Sequence, residues 1–283
     1  MRLVVFLIAL LAATPAIADS RLKVVATFSI LGDLVQEVGG DLVDVAVLVG
    51  PDTDAHTYQP RPSDARTLAA AQVLVSNGLG LEGWIDRLAG AAGFKGRRIV
   101  ASAGAAQESD PHCWQDVACT RRYVANIAEG LGAADPAHAA DYRARAAAYD
   151  RRLAELDKWI RGEIARVPQD RRKAITGHDS FGYFARAYGV AFSAPRGYTT
   201  DSEPTARDVA NLIRQVREQK IKALFIENMT NPALVGEIAH DSDATVGPRL
   251  YSDALSKPGG PAPTYEAMMR HNVTALVAGM LKN

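Results

Sequence analysis

Net charge is the first thing this sequence lacks. Its 32 Lys and Arg residues balance 32 Asp and Glu, so nothing favours a nucleic acid or an anionic membrane surface as partner. Several signatures of chemistry are missing too. No G-x-G-x-x-G follows a strand and there is no P-loop, which leaves nucleotide binding without support. No G-x-S-x-G elbow occurs, and the run His178-Asp179-Ser180 does not replace it, because neighbours in sequence rarely face one another. There is no H-E-x-x-H and no internal repeat. The apolar run from Val4 to Leu11 is too short to span a bilayer.

That run belongs to a secretory signal. Arg2 supplies its charged end and Ala16-Ile17-Ala18 an A-x-A cleavage site. Cleavage after Ala18 removes Arg2 and no acid, leaving a chain from Asp19 with 31 basic and 32 acidic residues. No cysteine follows the site, so the expectation is a soluble periplasmic chain, cleaved from its signal, with no lipid anchor. About 265 residues is long for one core and comfortable for two lobes.

Strand-like apolar runs alternate with helical periodicity from there on. Leu22–Thr27, Val43–Val49, Val73–Ser76 and Arg98–Ala101 read as strands; Ile30–Val38, Ser63–Ala71 and Leu81–Ala89 read as helices. The second half repeats the scheme. Ala174–Gly177, Val190–Ser193, Lys222–Ile226 and Ala244–Val246 are strands, and Phe181–Tyr188, Glu203–Glu218, Pro232–His240 and Tyr265–Leu281 are helices. Between the halves, Tyr142, Tyr149, Leu153, Leu156, Ile160, Ile164 and Val167 form one apolar stripe. The stripe predicts a single helix from Asp135, as N-cap, to Val167, stopped by Pro168 and roughly 50 Å long. The expected fold is α/β: two lobes, each a parallel β-sheet flanked by helices, joined by one long rigid backbone helix. The expected division is 1–18 signal, 19–130 first lobe, 131–167 linking helix and 168–283 second lobe.

Ligands of such sheets bind beyond the carboxyl ends of the strands. His56 lies in the loop after the second strand and His112 in the loop after the fourth; His178, Glu227 and Asp253 follow strands of the second lobe. Three imidazoles and one or two carboxylates on facing sheet edges suit a metal ion, and three histidines with an oxygen donor suit zinc in a tetrahedron. Four protein donors leave no open position for a reacting water, which favours a carrier over a zinc hydrolase. Asp54 beside His56, and Asp110 or Asp116 beside His112, are placed either to orient those rings or to serve as turn and cap residues. Glu227 is a candidate orienting carboxylate or alternative ligand. His138, His240 and His271 lie on helices without partner spacing and read as surface residues. The two cysteines, Cys113 and Cys119, are expected to pair in an exported protein; the rival reading makes Cys113 a thiolate ligand.

At these residues the sequence resembles the metal-binding subunits of zinc and manganese ABC importers. The resemblance runs through Val25-Ala26-Thr27-Phe28-Ser29-Ile30, Asp54-Ala55-His56-Thr57-Tyr58-Gln59-Pro60, Asp110-Pro111-His112-Cys113-Trp114, Gly177-His178-Asp179-Ser180-Phe181-Gly182-Tyr183-Phe184, Phe225-Ile226-Glu227-Asn228 and Tyr251-Ser252-Asp253-Ala254-Leu255. It implies metal ligands at His56, His112, His178 and Asp253, delivery to an inner-membrane ABC permease, no enzymatic activity and a monomer, with a periplasmic zinc chaperone as a further partner. Manganese-type members tend to carry a carboxylate where this chain has His178, so the resemblance favours Zn2+, with a Mn2+ or Fe2+ carrier of the same fold as the alternative. No His- and acid-rich run lies between Thr57 and Pro111, which departs from many zinc members.

Overall fold

The computed structural model describes residues 21–104, 109–242 and 244–283. The signal, its cleavage site and Asp19 lie outside them. Strands β1 (Leu22–Phe28), β2 (Val43–Val49), β3 (Val73–Ser76) and β4 (Arg97–Val100) form a parallel sheet in the order β2-β1-β3-β4. Val25 stands opposite Ala46 on one side and Leu74 on the other. The central β1 and β3 are buried along nearly their whole length, as strands covered on both faces must be. Helices α1 (Ser29–Gly39), α2 (Pro62–Ala69) and α3 (Ile85–Ala91) make the crossovers.

The second sheet repeats the topology. Strands β5 (Lys173–Ile175), β6 (Ala191–Ser193), β7 (Ala223–Leu224) and β8 (Thr245–Val246) are parallel in the order β6-β5-β7-β8. Helices α6 (Gly182–Tyr188), α7 (Ala206–Glu218) and α8 (Ala233–Ser242) connect them, and α9 (Tyr265–Met280) follows. Gly189 ends α6 in the left-handed region at φ 70°, a conformation open to glycine at little cost. Helix α7 begins later than its Glu203-Pro204 signal suggests. Thr205 caps it, its hydroxyl accepting from the Asp208 N–H while the Asp208 carboxylate reaches back.

Two corrections concern the middle of the chain. Val117–Ala134, to which the periodicity above assigns no element, is the 18-residue helix α4. Asp116 caps it by accepting from the Ala118 N–H at 2.9 Å. The linking helix α5 spans Ala139–Ala165, 27 residues rather than Asp135–Val167, or roughly 40 Å. Asp135 instead closes a 3-10 turn at Pro136–His138, its Oδ2 accepting from His138 Nδ1 at 2.7 Å and from the Tyr142 hydroxyl at 2.9 Å. The stripe of α5 is buried, and the helix packs on α1, α4 and α9. One apolar core therefore runs from the first sheet through α5 and α9 into Phe181, Phe184 and Phe225 of the second lobe. A smaller cluster, with Leu212, Val216 and Ile238, lies behind the second sheet. Among the described residues no helix is long and apolar enough to cross a membrane.

Candidate metal centre

The carboxyl ends of the two sheets face one another, and each delivers side chains from the loops that leave them. His56 comes from the loop after β2 and His112 from the loop after β4. His178 follows β5 and is held there by a parallel bridge to Arg196. Asp253 comes from the loop after β8. The donor atoms of these four residues lie within 4.8 Å of one another. His56 Nε2 is 3.3 Å from His112 Nε2 and 3.3 Å from Asp253 Oδ2; His178 Nε2 is 3.1 Å from Asp253 Oδ2, and His112 Nε2 is 3.7 Å from Asp253 Oδ1. Donors about 2.0–2.2 Å from a tetrahedral ion stand roughly 3.3–3.6 Å apart, close to these spacings, so the four residues can close on one small divalent ion. Both Asp253 oxygens and both ring nitrogens of His178 are buried and take part in no well-angled hydrogen bond.

The rings are turned by carboxylates behind them. His112 Nδ1 is 2.8 Å from Asp110 Oδ1. A carboxylate only accepts, so the proton sits on Nδ1 and the Nε2 lone pair faces inward. His178 Nδ1 is 2.6 Å from Glu227 Oε2. Glu227 is fully engaged: Oε1 accepts from the Gly177 and His178 N–H groups at 2.7 and 3.0 Å, and Oε2 from the Ser180 hydroxyl at 3.2 Å. It is a support for the ring rather than one of the four converging donors. Asp54 differs. It accepts from the backbone N–H of His56 at 2.8 Å and from the Thr200 hydroxyl of the second lobe, so it fixes the loop and bridges the lobes without touching the His56 ring. Asp116 is spent as the α4 cap.

Burial and charge oppose each other here. Burial alone would push the His178 imidazole down, but Glu227 and Asp253 outweigh it and raise it well above its ordinary value. Burial would raise Asp253, yet His178 and His112 hold it well below the usual carboxylate range. Glu227 is lowered as well, burial being outweighed by His178. Cys113 and Cys119 form a disulfide with Cα atoms 5.8 Å apart, so Cys113 is no thiolate ligand. The bond ties the His112 loop to the first turns of α4.

Several positioning residues escaped the sequence reading. Asn77 Nδ2 donates to the Pro111 carbonyl at 2.9 Å, and its Oδ1 accepts from the Tyr123 hydroxyl at 2.6 Å. Buried Glu82 accepts from the Thr27 hydroxyl and the Asn77 N–H at 2.6 and 2.7 Å. Trp114 Nε1 and Gln115 Nε2 donate to the Ser252 carbonyl at 2.8 and 2.9 Å, pinning the neighbour of Asp253 to the first lobe. The available signal was position: Asn77 directly follows β3, on the ligand edge. The remaining histidines stand apart. His138 caps its turn, and His240 is exposed beside Asp241. His271 bonds the Arg249 carbonyl at 2.8 Å.

Residues 24–279 match the family described as zinc-uptake complex component A, periplasmic. The manganese-binding lipoprotein MntA of Bacillus subtilis is 33% identical over 278 residues, covering 93% of this chain and 91% of the relative. FimA of Streptococcus parasanguinis, a metal ABC transporter substrate-binding lipoprotein, is 28% identical over 279 residues, covering 93% and 90%. The solved structure of the periplasmic zinc binding protein TroA from Treponema pallidum superposes with a TM-score of 0.88 at 29% identity, covering 92% of this chain and 99% of that one. These relatives overturn one expectation. MntA and FimA are lipoproteins, whereas the sequence reading gives the mature chain no lipid anchor. That reading rests on a single local absence, a cysteine beside Ala18. Anchoring is a covalent property of the leader region that neither the core nor the site reports, and the reading is withdrawn. By its fold, its sequence and the extent of the match, the chain belongs to the family of the periplasmic component A of zinc-uptake complexes.

Proposed function

We propose that this chain is the solute-binding component of a metal ABC importer. It captures one divalent ion between its lobes through His56, His112, His178 and Asp253 and delivers it to the importer's permease. Zn2+ is the first-choice cargo. The observation that carries this reading is the set of four protein donors gathered within 4.8 Å of one another. Three imidazoles and one carboxylate suit zinc, and a filled shell favours holding an ion over reacting with it. Asp110 and Glu227 keep two of the rings in the metal-binding tautomer. Mn2+ is the second reading, favoured by the manganese-binding relative MntA. We read 19–130 and 168–283 as the lobes and 131–167 as the rigid link between them.

Metal-stripped protein titrated with zinc and with manganese, each against a chelator of known affinity, tests the proposal. One-to-one zinc binding that manganese does not displace is expected, with His112→Ala and Asp253→Ala losing it. Tighter manganese binding would replace the zinc reading with the second one. Binding of neither metal would sink both.

A further inference from the structure

A groove of about 370 Å3 lies between α2 and α3 on the first lobe. Trp84 and Leu88 are buried in its floor and Pro60 and Pro62 stand on its rim. Arg61 and Arg87 line it and are exposed. Among the described residues neither guanidinium has a carboxylate within ion-pair distance, in contrast to Arg98, which pairs with Asp86 at 2.6 Å.

The stretch of chain that builds this groove is net basic although the chain as a whole is neutral. Between Thr57 and Ala101 stand six basic residues, Arg61, Arg66, Arg87, Lys95, Arg97 and Arg98, against Asp64, Glu82 and Asp86. Each of those acids is already engaged. Asp64 accepts from the Tyr58 hydroxyl at 2.8 Å and the Arg61 N–H at 2.6 Å; Asp86 holds Arg98; Glu82 is buried under Thr27 and Asn77. An apolar floor with two free guanidinium groups at its edge fits an acidic chain segment that also carries an apolar side chain.

The groove is joined to the metal centre. Trp84 Nε1 donates to the Ala55 carbonyl at 3.0 Å, one residue before His56, and the Tyr58 ring packs edge-on against Trp84 with centroids 5.2 Å apart. Trp84 is thus tied directly to the segment that carries His56.

We propose that this groove receives an extended acidic segment of the importer's permease, with its carboxylates on Arg61 and Arg87 and an apolar side chain against Trp84. The proposal rests on the carrier reading above. It is tested with the chain and its own ABC importer reconstituted in liposomes, comparing wild type with R61E/R87E and R61K/R87K. Both arginines are exposed, so folding and chelator-competed metal affinity are expected to match wild type in both variants. ATPase stimulation and metal uptake should fall about 10-fold in R61E/R87E at low salt and stay within about 2-fold in R61K/R87K. Wild-type stimulation should decline with added salt, and the residual stimulation by R61E/R87E should not. Wild-type stimulation by R61E/R87E overturns the docking proposal and leaves the carrier reading standing. Loss of metal binding or of stimulation in the wild type itself is instead the failure of the carrier reading.

Discussion

An imidazole offers its Nε2 lone pair to a metal when its proton sits on Nδ1, and a carboxylate behind the ring keeps it there. Asp110 does this for His112, and a Glu227 oxygen stands 2.6 Å from His178 Nδ1. Both carboxylates need room that small residues supply. A Cβ on Gly182 would stand 2.7 Å from Asp110 Oδ2, and one on Gly177 would stand 2.9 Å from Glu227 Oε1. Glu227→Gln keeps an acceptor for the backbone N–H groups but can set an amide N–H against His178 Nδ1–H. Metal affinity should fall about 10- to 100-fold with the circular dichroism spectrum unchanged; an unaltered affinity in chelator competition would remove Glu227 from the site. The same ring governs the pH response. Glu227 and Asp253 outweigh burial and raise His178 well above its ordinary value, so an arriving ion competes with a proton for this ring. Affinity should rise from pH 6 to pH 8, with protons released on binding, measured by calorimetry in buffers of different ionisation enthalpy. A flat profile would count against that competition.

At the level of elements, the disulfide and the α1–α9 joint can be tested separately. The Cys113–Cys119 bond closes a loop with a sequence separation of 6, for which chain entropy assigns about 2 kcal/mol. The double variant C113S/C119S should lose about that much in urea unfolding and bind metal less tightly, because the loop that carries His112 is freed. Asp33 in α1 accepts from the Tyr265 N–H at 2.7 Å, which starts α9. Burial pushes this carboxyl up to about 6, with Glu37 and Glu266 adding to the rise and the Tyr265 bond opposing it. An acid raised in the folded state binds its proton more tightly there than when unfolded. Stability therefore falls as pH climbs from about 4 to about 6, and the deficit persists above that. Asp33→Asn keeps the acceptor and removes the charge. It should raise Tm by about 2–5 °C at pH 7.5 and by almost nothing at pH 4, read by calorimetry at both pH values.

For the whole molecule, the shared core decides how far the lobes can part. Helices α5 and α9 are buried against both halves, so there is no thin hinge about which to swing. Contacts across the cleft add to this: Asn228 Nδ2 donates to Asp52 Oδ1 at 2.9 Å, the Asp52 N–H to the Leu255 carbonyl at 3.0 Å, and the Leu255 N–H to the Ser29 hydroxyl at 2.9 Å. Metal binding should change the radius of gyration by less than about 1 Å in solution scattering, the scale of loop ordering rather than hinge closure. A contraction of several ångströms would contradict the rigid link.

Much of this was legible in the sequence. Apolar runs placed β2 and β3 at their observed ends, Gly189 marked the close of α6, and His56, His112, His178 and Asp253, which the structure gathers together, were read in loops after strands. These are consequences of local periodicity and turn chemistry, which each segment carries by itself. Other features were not legible, for a common reason. Whether Asp54 turns a ring or bridges the lobes, how α9 is started, and how the His112 and Asp253 loops meet are settled by partners far away in the chain. Thr200 reaches Asp54 across 146 positions, Trp114 reaches the Ser252 carbonyl across 138, and Tyr265 reaches Asp33 across 232. The sequence determined which side chains stand at the sheet edges; only the packing of α5 and α9 between the sheets brought those edges within the few ångströms that one ion can span.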